Sequence, residues 1–462
     1  MRGMGTLGVL GAAGTLTVLL AGCLPEEPAA DPADERPPVA VDETLGVLRV
    51  APGDDVTLGV LLDGDADPEG LGPELEAAFR TAVEDFGAIQ QDFRVTLATA
   101  PPLTCDTAGG ADAANALLAD HDVAGVLGPQ CLPSVLGAQR VTADAGLVLL
   151  TPRPTAVTLT TGPDGTIAQD RAEGTWRTAP SDLVQARAAA THAVEERAST
   201  RAAIVHDASI GGRALADAFR ARFELLGGTV IVDEAVPELL AGTLADEPAE
   251  EALAARSTLL DAIDDGDVDV AYLALGGDDL VALDAGWVER GALAGVTRIT
   301  PGDTVPAALL AAPSDVGLLL TGPAVVPPDE AVSAVTGFSA SQTRERVTAA
   351  GVTDPTGWWA AAYDAATVLL KAIEDTSVVD GDGALVLSRA ELRTTLGRSR
   401  FEGLTGPIAC DPDGDCAAGR TVIRALGTDA GVGDGAGGGA GGGAPTDLPV
   451  VAELREEVAG GS

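Results

Sequence analysis

Val56-Thr-Leu-Gly-Val-Leu-Leu62 is an unbroken apolar run with Asp54-Asp55 before it and Asp63-Gly-Asp65 after it. A strand with one wet face alternates apolar and polar residues, whereas a strand covered on both faces reads as one continuous apolar run. The run is therefore predicted to be an interior strand of a parallel sheet. Downstream, Leu75, Ala78, Phe79 and Ala82 fall on one face of a predicted helix over 73–86. Strands are then expected over 93–98, 123–127 and 147–151, with helices over 112–120 and 133–143. A second series places helices at 183–196, 213–226, 253–263 and 280–290. Strands at 202–206, 229–232, 268–275, 296–300 and 316–320 alternate with them. Residues 238–250, acidic and alanine-rich, read as an inserted loop, and two helices follow over 331–350 and 357–374. The class is α/β, with two doubly wound parallel-sheet lobes, a hinge and a central cleft; ligands bind such sheets beyond the carboxyl ends of their strands.

The chain has 462 residues, 46% of them hydrophobic, which is ample for two cores. Lys plus Arg number 28 against 70 Asp plus Glu, a formal net charge of -42. That surface repels phosphate backbones and anionic lipid, so nucleic acid is excluded as a partner and any membrane attachment must be covalent or through another protein. Lys371 is the single lysine, which leaves Schiff-base and P-loop chemistry without a candidate.

The amino terminus reads as an address. Arg2 supplies a minimal positive region, and residues 7–20 are apolar but too few to span a bilayer comfortably. Leu20-Ala-Gly-Cys23 resembles the bacterial lipobox, which implies removal of residues 1–22 and lipidation of Cys23. An ordinary signal peptide with an incidental cysteine is the alternative. Residues 23–53 are then expected to be a lipidated, disordered stalk, and the Gly-rich residues 427–462 a flexible tail whose last stretch, 448–458, forms a short helix or nothing. Without Cys23 the cysteines are even in number, as expected in an oxidising compartment. Pairing sequence neighbours, Cys105 with Cys131 and Cys410 with Cys416, is the simplest of three connectivities, and the longer loop would contribute roughly 3–4 kcal/mol. A zinc site is the alternative, but the spacings fit no zinc motif.

Five stretches resemble the type I periplasmic-binding proteins of branched-chain amino-acid ABC transporters. They are Val123-Ala-Gly-Val-Leu-Gly-Pro129 with Cys131, Thr151-Pro-Arg-Pro-Thr155, Ala203-Ile-Val-His-Asp207 with Gly211-Gly212, Phe401-Glu-Gly-Leu-Thr-Gly-Pro-Ile408, and residues 411–415. The resemblance covers roughly 55–426. It implies a Cys105–Cys131 disulfide, lobe one at 54–175 plus 325–398, and lobe two at 176–324 plus 399–426. It also implies a monomer that closes on a small ligand and docks on a permease.

Family members hold the ligand carboxylate with lobe-one hydroxyls and backbone N–H groups, which points to Thr155 first and Ser134 second. Capping roles are the alternative for both. Asp303 stands near the family's acidic partner for a ligand amine, and Asp278 is in the loop after the 268–275 strand. Leu132 and Ile210 stand where the family carries a small hydroxyl and a tyrosine, which puts amino-acid binding in question. Asp63, Asp65 and Asp67 with Glu74 loosely match a calcium loop, but Pro68 occupies the glycine position, so surface charge reads better and no metal is expected. His121, His192 and His206 are the only histidines; the first two read as solvated and the third as strand-end structure. Ser209 lacks the glycine of a nucleophile elbow. No cofactor and no enzyme activity is expected. The sequence points to an exported, lipid-anchored solute-binding protein, with a sensor or scaffold lacking a transporter as the alternative and a secreted hydrolase behind both.

Overall fold

The computed structural model describes residues 41–64, 70–160, 171–236, 240–244, 249–291, 293, 295–302, 309, 317–417, 419–426 and 450–455. Cys23, Asp65, Asp67, Glu69 and Asp303 lie outside the described residues.

Val56–Val60 is an interior strand, as its composition requires. It pairs in parallel with Phe93–Thr99 on one side and Val126–Leu127 on the other. Val56, Leu58 and Val60 are fully buried. The sheet continues through Leu149–Thr151 to Thr175–Arg177, and a short antiparallel strand, Ala88–Ile89, forms its other edge. Helices Gly72–Phe86 and Trp358–Thr376 cover one face, and Thr107–Asp120 and Leu132–Asp144 cover the other.

The second sheet runs Thr229–Val236, Arg201–Asp207, Val270–Ala274, Thr297–Pro301 and Leu318–Pro323, all parallel. Arg420–Leu426 joins it antiparallel. Asp182–Glu195 and Ile210–Leu225 pack on one face, where Phe219 stacks on Tyr272 at 4.4 Å. Glu250–Asp265 and Gly277–Arg290 pack on the other. The architecture is the doubly wound pair that the alternation implies.

Several boundaries differ from expectation. Residues 41–53 are not a stalk throughout: Val47–Val50 pairs antiparallel with Leu385–Ser388 and buries Leu48 and Val50. Each such burial contributes about 1.5–3 kcal/mol, enough to fix a short strand. Residues 450–455 are not a free tail: Val450–Arg455 pairs antiparallel with Arg420–Leu426. Only Ala340–Ala349 of the 331–350 segment is helical. Gly337 sits at φ +78°, and Ser339 and Gln342 form a capping box that starts the helix there. Residues 399–416, expected with the second lobe, bury Leu404, Ile408, Cys410 and Cys416 in the first core. Both neighbour disulfides form, Cys105–Cys131 and Cys410–Cys416.

The Phe401-to-Gly406 turn is held by a buried carboxylate. Asp364, on the Trp358–Thr376 helix, accepts from Leu404 N (2.8 Å), Thr405 N (2.8 Å) and Thr405 Oγ1 (2.6 Å). A Cβ at Gly403 would stand 2.7 Å from its Oδ2, so the motif's first glycine makes room for the acid. Burial pushes the Asp364 carboxyl up to about 6 against those hydrogen bonds, which act to lower it. Its folded value lies above the unfolded 3.8, so its contribution to stability is greatest below pH 4 and is lost as pH rises through about 6. Lifting a carboxyl that far corresponds to roughly 3 kcal/mol between the protonation states. Urea denaturation from pH 4.5 to 7.5 should therefore show a wild-type-minus-Asp364→Asn stability difference that falls with pH; a flat difference would refute this titration. Gly403→Ala should cost about 1–3 kcal/mol at any pH in the same measurement.

Candidate functional site

Three chain segments cross between the two sheets, at 178–181, 323–326 and 416–420. Ala324 N donates to Arg420 O (2.9 Å), so the second and third crossings are hydrogen-bonded to one another. Thr178 Oγ1 donates to Ala361 O (2.8 Å), which fixes the first crossing to the Trp358–Thr376 helix. Thr178 and Pro180, Ala324 and Val325, and Ala417 and Arg420 bring one pair from each crossing to a common pocket; Trp358, Ala361 and Thr405 complete its wall. The space they enclose is narrow, about 10 Å³, room for one water-sized molecule. The wall is mostly apolar, with two hydroxyls, one guanidinium and one indole.

Arg177 is the anchor beside it. Its side chain is fully buried, and all five donors are used. Nε and Nη2 reach the two Asp415 oxygens at 2.5 and 3.2 Å, in a bidentate pair. Nη1 donates to Pro154 O and Ala156 O at 3.3 and 2.6 Å, and Nη2 to Thr160 Oγ1 at 3.1 Å. One side chain thus ties the loop carrying Thr155 to the turn stapled by Cys410–Cys416. Thr155 is half-buried, and its backbone O accepts from Asp182 N (2.9 Å) at the start of the first second-lobe helix. In the same loop, Arg153 lies over the Trp358 ring, 5.5 Å from its centroid.

Ser134 sits elsewhere in the chemistry. It is fully buried and donates to Asp63 Oδ1 (2.5 Å). Asp63 Oδ2 also accepts from Gln130 N (3.0 Å) and Cys131 N (2.9 Å), while Gln130 Oε1 accepts from Asp63 N (3.0 Å). The start of the Leu132–Asp144 helix therefore holds an anion of the protein's own. Asp63 and Glu74 are not the ends of a calcium loop: Glu74 accepts from Thr356 N and Trp359 N, both at 2.8 Å, and caps the Trp358–Thr376 helix. Asp278 lies exposed in the first turn of Gly277–Arg290, just after the Val270–Ala274 strand of the second sheet. His192, expected in solvent, is buried; burial and then Arg197 push its pKa down to about 4. Arg177, Arg420 and Trp358 were not singled out from the sequence, because they stand at the end of one strand, the start of another and the start of a helix, where one residue carries no periodic signal.

Two doubly wound sheets joined by three crossings at a pocket define a two-lobed binding protein. Residues 55–423 match the family model described as periplasmic binding protein, and the chain belongs to that family. It is 29% identical over 189 residues to the Leu/Ile/Val-binding protein BraC3 of Rhizobium johnstonii, a match covering 39% of this chain and 47%, about half, of that one. A substrate-binding protein of Desulfitobacterium hafniense in complex with Leu shares the fold at TM-score 0.58 and 21% identity, over 81% of this chain and 98% of the other. A solute-binding protein of R. palustris in complex with 4-hydroxybenzoate does so at 0.54 and 17%, over 80% and 92%. Members of the family are substrate-binding proteins. No helix among the described residues is long and apolar enough to cross a membrane.

Removing one partner of a buried ion pair leaves the other uncompensated. Asp415→Asn should cost about 3–5 kcal/mol in urea denaturation, because it leaves the fully buried Arg177 charge unpaired, and Arg177→Met should differ from it because the carboxylate it leaves is 28% exposed. Equal costs for the two would contradict this arrangement.

Proposed function

We propose that this chain is an extracytoplasmic solute-binding lipoprotein that captures a small polar, amino-acid-like ligand between its lobes and hands it to an ABC permease. The pocket at the three crossings carries the reading: a ligand there touches both lobes, so binding and hinge closure are the same event. Cys23, lipidated after removal of residues 1–22, would hold a monomer beside its membrane partner. Thr155, in a loop fixed by Arg177 next to the first crossing, would meet the ligand carboxylate from the first lobe. Asp278 and Asp303 would offer carboxylates to a ligand amine from the second lobe. Ser134 supports the Leu132–Asp144 helix through Asp63, and its proposed ligand contact is indirect.

That internal anion favours a second reading, a sensor or scaffold with a changed ligand and no transporter. The leucine and 4-hydroxybenzoate carried by the two related structures set the range of the test. A thermal-shift panel of branched-chain amino acids, their amides, polyamines and hydroxybenzoates should give at least one hit, and a ligand at 100 times its Kd stabilises by about 2.7 kcal/mol. Thr155→Val should abolish that shift without lowering the unliganded Tm by more than a few degrees. No shift across the panel would remove the ligand-capture reading. Cys23→Ser should move the protein from the membrane to the soluble fraction; continued membrane association would remove the anchor.

A further inference from the structure

The C-terminal strand brings a charge to the pocket. In the register of Val450–Arg455 on Arg420–Leu426, Val422 opposes Glu453, which sets Glu453 diagonally across from Arg420 on the same face. Glu453 Oε1 accepts from Arg420 Nε at 2.9 Å and Nη2 at 2.7 Å. Arg420 is 7% exposed and Glu453 38%, so the cation is the buried partner and its counter-charge arrives from outside. The backbone O of Arg420 accepts from Ala324 N of the second crossing, which places the residue at the crossing. The strand itself is seated, with Val451, Ala452 and Leu454 packed against the second core. Among the described residues, Glu453 is the carboxylate paired with Arg420. The remaining pocket wall is Trp358, Val325, Thr178 and Thr405 with small apolar neighbours, none of which carries charge.

We propose that Glu453 is a specificity-determining residue of this pocket, neutralising Arg420 so that the pocket does not attract an anion to that guanidinium. In a poorly hydrated wall an uncompensated guanidinium attracts a carboxylate or phosphate strongly, and a paired one does so weakly. The same chain with and without its last strand therefore presents two different pockets. The inference rests on the ligand-capture reading for the identity of the occupant, but the charge state of the pocket is measurable without any ligand.

Trp358 is the natural reporter. Trp176, Trp287 and Trp359 are 3%, 1% and 1% exposed, whereas Trp358 is half-buried in the pocket wall with Arg420. Quenching of tryptophan fluorescence by iodide and by acrylamide should be compared at low ionic strength in the full chain, in Glu453→Gln, and in the Arg420→Gln/Glu453→Gln double variant. Iodide quenching should rise at least twofold in Glu453→Gln with acrylamide quenching unchanged, and fall back to wild type in the double variant. Unchanged iodide quenching, a parallel rise for both quenchers, or a rise that persists in the double variant would each overturn the proposal. A thermal-shift panel without hits, together with the expected quenching, would remove the ligand-capture reading and leave the neutralised pocket standing.

Discussion

The bidentate pair of Arg177 with Asp415 is the constraint on which the rest of the structure depends. Arg177 ends the last strand of the first sheet, and Asp415 belongs to the turn from which the third crossing leaves. Between them they fix the entry of the first crossing, the exit of the third and the loop of Thr155. Burying a guanidinium is costly unless every N–H is satisfied, and here two carboxylate oxygens, two carbonyls and a hydroxyl do so. A lysine at 177 has three donors and no planar fork, so it serves neither the carboxylate nor the loop.

The same economy recurs with the sign reversed. A chain carrying -42 formal charges has carboxylates to spare, and three of them are buried as acceptors for N–H groups that the fold leaves open. Asp63 serves Gln130 and Cys131, Glu74 serves Thr356 and Trp359, and Asp364 serves Leu404 and Thr405. Each joins an element to one distant in sequence. Helix starts and tight turns need such acceptors, and a carboxylate supplies two oxygens where serine or threonine supplies one.

Strands and helix faces were legible from the sequence because periodicity is a local property: 56–62 reads as an interior strand whatever surrounds it. The Gly403-x-Thr405 pattern was legible only as a motif. Its cause, Asp364, lies about forty residues earlier in a helix where it reads as one polar residue in an apolar face. Asp63 was noticed for the wrong reason. With 65 and 67 it read as surface charge, whereas its partners lie near 130, out of reach of any local pattern. The strand at 450–455 was hidden by the glycine-rich stretch before it, since composition describes a linker and says nothing of what the linker delivers. Arg153, Arg177 and Arg420 share a different obscurity. An arginine in an acidic chain reads as surface charge, and only burial reveals otherwise.

Cys131 is held twice, by the sulfur of Cys105 and by the Asp63 carboxylate on its own N–H. The two ties differ in what they require. The covalent one needs an oxidant, whereas the hydrogen bond needs only that the first strand and the 128–131 turn have met. The start of the Leu132–Asp144 helix is thus tied to the first strand by a contact that does not depend on the redox state of the two sulfurs.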